Sequence, residues 1–266
     1  MKVAGIAGAL TLALCTAAQA DTVTREIDYT IDGKAYRGLL VYDDATKDPR
    51  PGILMVPNWL GVTENSAKKA AIVAGKEYVV LVADVYGADV RPKDGKEAGA
   101  VVGPLRKDPA ELRKRTNAAL EVLRTQGGNV KVDPSRMAAV GFCFGGSSVL
   151  ELARSGTPLN GVVSLHGGLD TPLPAKQGQI KTAVLVLNGA DDPAVPREQV
   201  QAFQDEMRTA GVDWQLVDYG GAVHSFTDPT ANVPGRNEYH PVVAKRAYIA
   251  LHSFLSERFS SAAASQ

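Results

Sequence analysis

Cys143 lies in Gly141-Phe142-Cys143-Phe144-Gly145-Gly146, a G-x-C-x-G-G run between a strand-like apolar stretch and a helix-like one. A nucleophile held on a sharp strand-to-helix turn is an elbow arrangement, here with a thiol where serine is commoner. Glycines at 141 and 145 let neighbouring backbone pass without a Cβ clash. The helix that starts after the cysteine aims its N-terminus at sulphur, which favours thiolate. A thiol is intrinsically nucleophilic but mostly protonated at neutral pH, so the chemistry calls for a nearby base. The bland alternative is a buried thiol that packs as a small hydrophobe.

His224, in Gly220-Gly221-Ala222-Val223-His224-Ser225-Phe226, is the candidate base. Asp192 is the candidate orienting acid, because Asp192-Pro193-Ala194-Val195-Pro196 places a carboxylate on a loop before a helix; adjacent Asp191 is assigned to the turn or to solvent. Nucleophile, acid, histidine is the chain order of the α/β-hydrolases, and other triad folds use other orders. The backbone N–H groups of Phe144 and Trp59 are the candidate oxyanion donors. His166 also follows a strand-like run and either lines a pocket or serves structure. His240 and His252 read as surface or packing residues. Four histidines and this thiol show no metal-ligand spacing, so no metal is expected.

Cys143, Asp192, His224, Asn58 and Trp59 each follow an apolar run of strand length. An antiparallel hairpin opens the chain, Ile27 to Ile31 and Ala35 to Tyr42 around Asp32-Gly33. Buried strands are then expected at 52–56, 78–83, 137–141, 161–165, 182–187 and 214–219. Continuous apolar runs of this kind belong to a mostly parallel sheet covered on both faces. Helices are expected at 65–75, 110–126, 147–154, 196–210 and 241–259, with Gly127-Gly128 stopping the second. Residues 87–109, rich in Gly, Pro and charge, read as a loop or short helices. Arg113-Lys114-Arg115 reads as a solvated helix face, and 260–266 as a polar tail. The fold class is α/β with right-handed crossovers, helices on both faces and antiparallel N-terminal strands. In such sheets ligands bind beyond the carboxyl ends of the strands, where these five residues fall.

The motifs resemble the dienelactone hydrolase family, a cysteine-nucleophile branch of the α/β-hydrolases. The matching segments are G-F-C-F-G-G at 141–146, G-A-D-D-P-A-V-P at 189–196, H-S-F at 224–226, P-N-W-L-G-V at 57–62 and A-D-V-Y-G at 83–87. The resemblance spans most of residues 30–258. It implies hydrolysis of a small ester or lactone through an acyl-thioenzyme, without organic cofactor, in a pocket that includes Asn58, Tyr86 and Phe226. Three positions depart from the family pattern. Asn58 stands where a Glu is usual, and Ala88 and Asp228 stand where arginines hold a substrate carboxylate, with Arg91 displaced nearby. An acid at 228 is expected to repel a carboxylate.

Residues 1–20 read as an export signal, with Lys2, an apolar run and Ala18-Gln19-Ala20 before the cut. A single domain, 21–266, that is periplasmic or secreted is therefore expected. The run is too short for a membrane anchor, and no later stretch is apolar enough to span a bilayer. The 29 basic and 29 acidic residues balance, so charge recruits neither nucleic acid nor anionic lipid. A monomer is the default expectation. Two readings of other classes remain open at this stage: a thiol sensor, although the only other cysteine is Cys15 in the signal, and a ligand-binding protein on the same scaffold.

Overall fold

The computed structural model describes residues 22–45, 47–125 and 130–263. The signal segment and the Gly127-Gly128 stop lie outside the described residues. Strands β1 (Thr22–Ile31) and β2 (Lys34–Asp43) form the expected hairpin. Strand β3 (Arg50–Val56), helix α1 (Glu64–Ala74), strand β4 (Val79–Val82), helices α2 (Gly95–Lys107) and α3 (Pro109–Thr125), strand β5 (Val132–Phe142) and helix α4 (Phe144–Arg154) follow. The remainder comprises β6 (Gly161–Leu165), β7 (Ala183–Gly189), α5 (Arg197–Ala210), β8 (Trp214–Tyr219), the small strands β9 (Asn232–Val233) and β10 (Asn237–Glu238), and α6 (Pro241–Ala263).

Eight strands form one sheet in the order β1-β2-β4-β3-β5-β6-β7-β8. The β1–β2 and β2–β4 pairs are antiparallel, and every pair from β4 across to β8 is parallel. Along β3, Leu54 and Val56 enter one core while Ile53 and Met55 enter the other, because successive side chains point to opposite faces. The first core holds α2 to α5 against the sheet, through Val102, Leu120, Val149 and Phe203. The second holds α1 and α6, through Val73, Val243 and Leu251. From β3 the chain steps to β4 on one side and then to β5 on the other. The crevice between the ends of β3 and β5 is therefore the switch point at which such sheets bind ligands.

Three segments differ from the sequence reading. Residues 95–107 form a full helix, because Asp94 caps it by accepting from the N–H groups of Lys96 and Glu97, both at 2.9 Å. Ala98, Val102 and Leu105 give it a buried face despite Pro104. The second difference is the β9–β10 hairpin around Pro234-Gly235. The third is α6, which runs past Phe259 to Ala263. Arg113 and Arg115 are not simply solvated either: Arg113 pairs with Glu151 at 2.8 Å, and Arg115 donates to the Val85 carbonyl at 2.8 Å.

The elbow depends on two glycines. A Cβ on Gly145 would sit 1.9 Å from the Val56 carbonyl oxygen, and one on Gly141 would sit 2.0 Å from that of Gly145. Backbone on both sides leaves nothing flexible to yield. Gly145→Ala is expected to cost more than about 3 kcal/mol in urea unfolding. Gly99→Ala, in a helix with open space around it, should stabilise by about 0.5–1 kcal/mol. Equal midpoints for the two variants would contradict this account of the elbow.

Candidate active site

Cys143 follows β5 directly and caps α4 at φ 56°, ψ −119°, outside the regions that L residues prefer. His166, after β6, and Ser225, in the histidine loop, are also non-glycine residues with positive φ, at 40° and 61°. Strained backbone of this kind gathers at functional sites. His224 Nε2 lies 3.0 Å from Cys143 Sγ, and its Nδ1 lies 2.7 Å from Asp192 Oδ2. The other Asp192 oxygen accepts the Ala194 N–H at 2.8 Å. Asp191 instead turns outward and accepts the Gly221 N–H at 3.0 Å. The D-x-x-V-P spacing therefore points to the aspartate that meets the histidine.

Burial pushes the Cys143 thiol up. The hydrogen bond and charge of His224, with the Phe144 N–H and the charge of Arg106, outweigh burial and hold the thiol below its ordinary value of 9.0. Burial pulls His224 down, but its bonds to Asp192 and Cys143 raise it to about 10. The two shifts run in the direction that favours a thiolate beside an imidazolium, and groups coupled this closely titrate as a unit. Tyr86 is held above its ordinary range, first by burial and then by the charge at Cys143.

The oxyanion-side loop is tightly built. Asn58 Oδ1 accepts the Leu60 N–H at 3.0 Å, and the Asn58 carbonyl accepts the Gly61 N–H at 2.9 Å. Asn58 thus serves the turn. The Tyr86 hydroxyl donates to the Trp59 carbonyl at 3.0 Å, and its ring stacks on Phe144 at 6.0 Å. Among the described residues the Trp59 N–H has no protein acceptor.

A cavity of about 220 Å³ opens beside His224 and Phe144, lined by Leu105, Arg106, Leu112, Ser147, Gly168 and Pro172 among others. Asn58, Tyr86 and Phe226 do not form its wall. Asn58 borders a separate void of about 10 Å³ with Lys69 and Phe142. Phe226 is fully buried beneath His166, with ring centroids 5.0 Å apart. Arg106, on a helix within the segment read as a loop or short helices, is the cation the sequence reading missed. The Asp94–Glu97 cap signal and the 98/102/105 spacing could have placed it.

The expected repulsion at Asp228 does not arise. Its carboxylate is buried against Lys69 Nζ at 2.9 Å and Asn65 Nδ2 at 2.9 Å, away from the cavity. Arg91 pairs with Asp84 at 3.1 Å and caps the Gly87 carbonyl at 2.8 Å. The short β9–β10 hairpin braces the histidine, since the Glu238 N–H donates to the His224 carbonyl at 3.0 Å. Among the described residues no three His, Cys, Asp or Glu side chains gather as metal ligands, and no helix is long and apolar enough to cross a membrane.

The sequence profile of the dienelactone hydrolase family matches residues 37–259. The chain belongs to the dienelactone hydrolase family. It is similar to a dienelactone hydrolase-like promiscuous phosphotriesterase from metagenomic libraries, at 38% identity and a TM-score of 0.83, covering 90% of this chain and 99% of that one. It is 34% identical to an uncharacterised Caenorhabditis elegans protein, over 56% of this chain and 96% of the relative. It is 26% identical to a Salmonella typhimurium protein named "Putative carboxymethylenebutenolidase", over 73% of each. The α/β-hydrolase fold and the family together make this dienelactone hydrolase relative a carboxylic ester hydrolase.

Proposed function

We propose that the protein hydrolyses small esters or lactones through a Cys143–His224–Asp192 triad. The observation that carries this reading is the continuous path from Sγ to Nε2 at 3.0 Å and from Nδ1 to Asp192 at 2.7 Å. The Cys143 thiolate attacks the carbonyl carbon, forming an S–C bond as the π electrons move to oxygen. The Phe144 and Trp59 N–H groups stabilise that oxyanion. As the intermediate collapses, the C–O bond breaks and the His224 imidazolium gives its Nε2 proton to the leaving alkoxide. Water then attacks the thioester while Nε2 takes its proton, and the thiolate departs, leaving the acid product. Asp192 keeps the proton on Nδ1 and balances the imidazolium. This chemistry uses no cofactor, and the cavity, which sets Leu105, Leu112 and Pro172 against Arg106, Asp170 and Gln199, suits a compact acyl or aryl group that carries polar atoms as well as apolar ones.

Residues 1–20 carry the accompanying proposal that the enzyme works outside the cytoplasm after cleavage near Ala20. Hydrolysis of p-nitrophenyl acetate and an aryl lactone tests the function. Rapid quenching followed by peptide mass spectrometry should find the acetyl group on the Cys143 peptide. Turnover with the acetyl group on another residue, or none in wild type, would overturn the triad reading.

A further inference from the structure

We propose that His166 is a positioning residue that ties the backbone of the nucleophile to the loop carrying the base. The inference rests on the triad reading above. The His166 ring is buried, at 1% exposure, and both its nitrogens are engaged. Nδ1 faces the Cys143 N–H at 3.2 Å, and Nε2 lies 2.8 Å from Thr227 Oγ1. A backbone N–H can only donate, so Nδ1 carries no proton. The ring's single hydrogen then sits on Nε2 and is donated to Thr227. Cys143 also shares that N–H with the Leu165 carbonyl at 3.0 Å, so the elbow residue is held at a three-centre contact.

Thr227 stands three residues beyond His224, on the same loop. The path from Cys143 N–H through the imidazole to Thr227 therefore spans from the nucleophile to the base, beneath the Sγ–Nε2 contact. The His166 and His224 rings meet edge to face at 5.4 Å, and Phe226 closes the other side at 5.0 Å. The charged groups facing His166 are the His224 imidazolium and Lys69, itself paired with Asp228. Burial first, and then those two positive charges, hold His166 well below its ordinary value. It stays neutral, as an acceptor at Nδ1 requires. The His166 backbone N–H donates to the Leu187 carbonyl at 2.9 Å, so the main chain that carries the ring is anchored to a third strand end.

A tie of this kind controls geometry at the reacting atoms, where about 1 Å of displacement can cost roughly 10²-fold in rate. His166→Asn keeps an acceptor near the Nδ1 position but falls short of Thr227, and Thr227→Val removes the receiving oxygen. Each is expected to lower kcat for p-nitrophenyl acetate by about tenfold or more, with KM little changed. Each should also slow iodoacetamide alkylation of Cys143 at pH 7. The double variant should lose no more than the worse single one, because both cut the same link. Thr227→Ser should recover most of what Thr227→Val loses. Thermal midpoints measured alongside separate this effect from unfolding.

Additive losses in the double variant, or a kcat and alkylation rate unchanged from wild type, would overturn the inference. Cys143→Ala in the same assay keeps the two proposals apart. If that variant is inactive while His166→Asn behaves as wild type, the triad stands and the tie does not. If Cys143→Ala matches wild type, the triad itself has failed.

Discussion

Cys143→Ala is expected to lower kcat/KM for p-nitrophenyl acetate by at least about 10⁴-fold, with an unchanged far-ultraviolet dichroism spectrum. The magnitude follows from how triads behave: removing the nucleophile abolishes the covalent route and leaves only what binding and the oxyanion donors supply. The fold should tolerate the change. Cys143 packs at the base of the crevice, and alanine keeps the Cβ that the elbow already accommodates at φ 56°. Cys143→Ser is the more informative partner. The hydroxyl has no thiolate to stabilise, so His224 must act as a true general base at the moment of attack instead of resting as half of an ion pair. Serine should therefore recover only a small part of the loss. An alanine variant within tenfold of wild type would remove Cys143 from the reaction.

That the cysteine could be singled out at all reflects local signals. The elbow needs glycine at 141 and 145 for reasons of space, and the G-x-C-x-G-G string records that need directly. Parallel strands buried on both faces leave continuous apolar runs, so β3, β4, β5, β6 and β7 were legible along with the strand ends that carry Cys143, Asp192 and His224. Asp192 was separable from Asp191 by the D-x-x-V-P spacing, and the Nδ1 contact at 2.7 Å agrees with it.

Illegible features depend on pairs far apart in sequence. Lys69 and Asp228 are an ordinary charged pair in composition, yet both are buried beneath the elbow. Arg154 is 1% exposed because Glu206 reaches it at 2.7 Å from α5. No periodicity announces such contacts. His166 belongs to the same class. Its position after β6 was readable, but its role lies in two hydrogen bonds to segments 23 and 61 residues away. Helix α2 was legible only as a loop or short helices, for a different reason: Gly95, Gly99, Gly103 and Pro104 argue against a long helix locally, while the Asp94 cap and the buried Ala98, Val102 and Leu105 face outweigh them.

The thiolate–imidazolium pair gives the second large effect, in the pH dependence of Cys143 alkylation. In wild type the iodoacetamide rate should reach its plateau at a lower pH than an ordinary thiol's, because the folded thiol is held below 9.0. His224→Ala removes the hydrogen bond and the charge that lower the thiol, and leaves burial, which pushes it up from 9.0. A thiol at or above that value is at most about 1% ionised at pH 7, so the variant's rate should fall below that of wild type and its rise should move to higher pH.

The signs also fix what the pair does for stability. His224, raised from 6.5 to about 10, contributes stability fully present below pH 6.5 and lost as pH rises through about 10. Cys143, lowered from 9.0, contributes stability present above pH 9.0 and lost as pH falls through its folded value. Where the two ranges overlap below pH 9.0 the trends oppose each other, because folding there moves a proton from sulphur to nitrogen. The pair's contribution should therefore vary less with pH there than either shift alone would give, and the wild-type unfolding free energy should fall as pH rises from 9.0 through about 10. A wild-type alkylation rate that rises over the same pH range as the variant's would show that Cys143 rests as a neutral thiol, and that His224 acts only when substrate arrives.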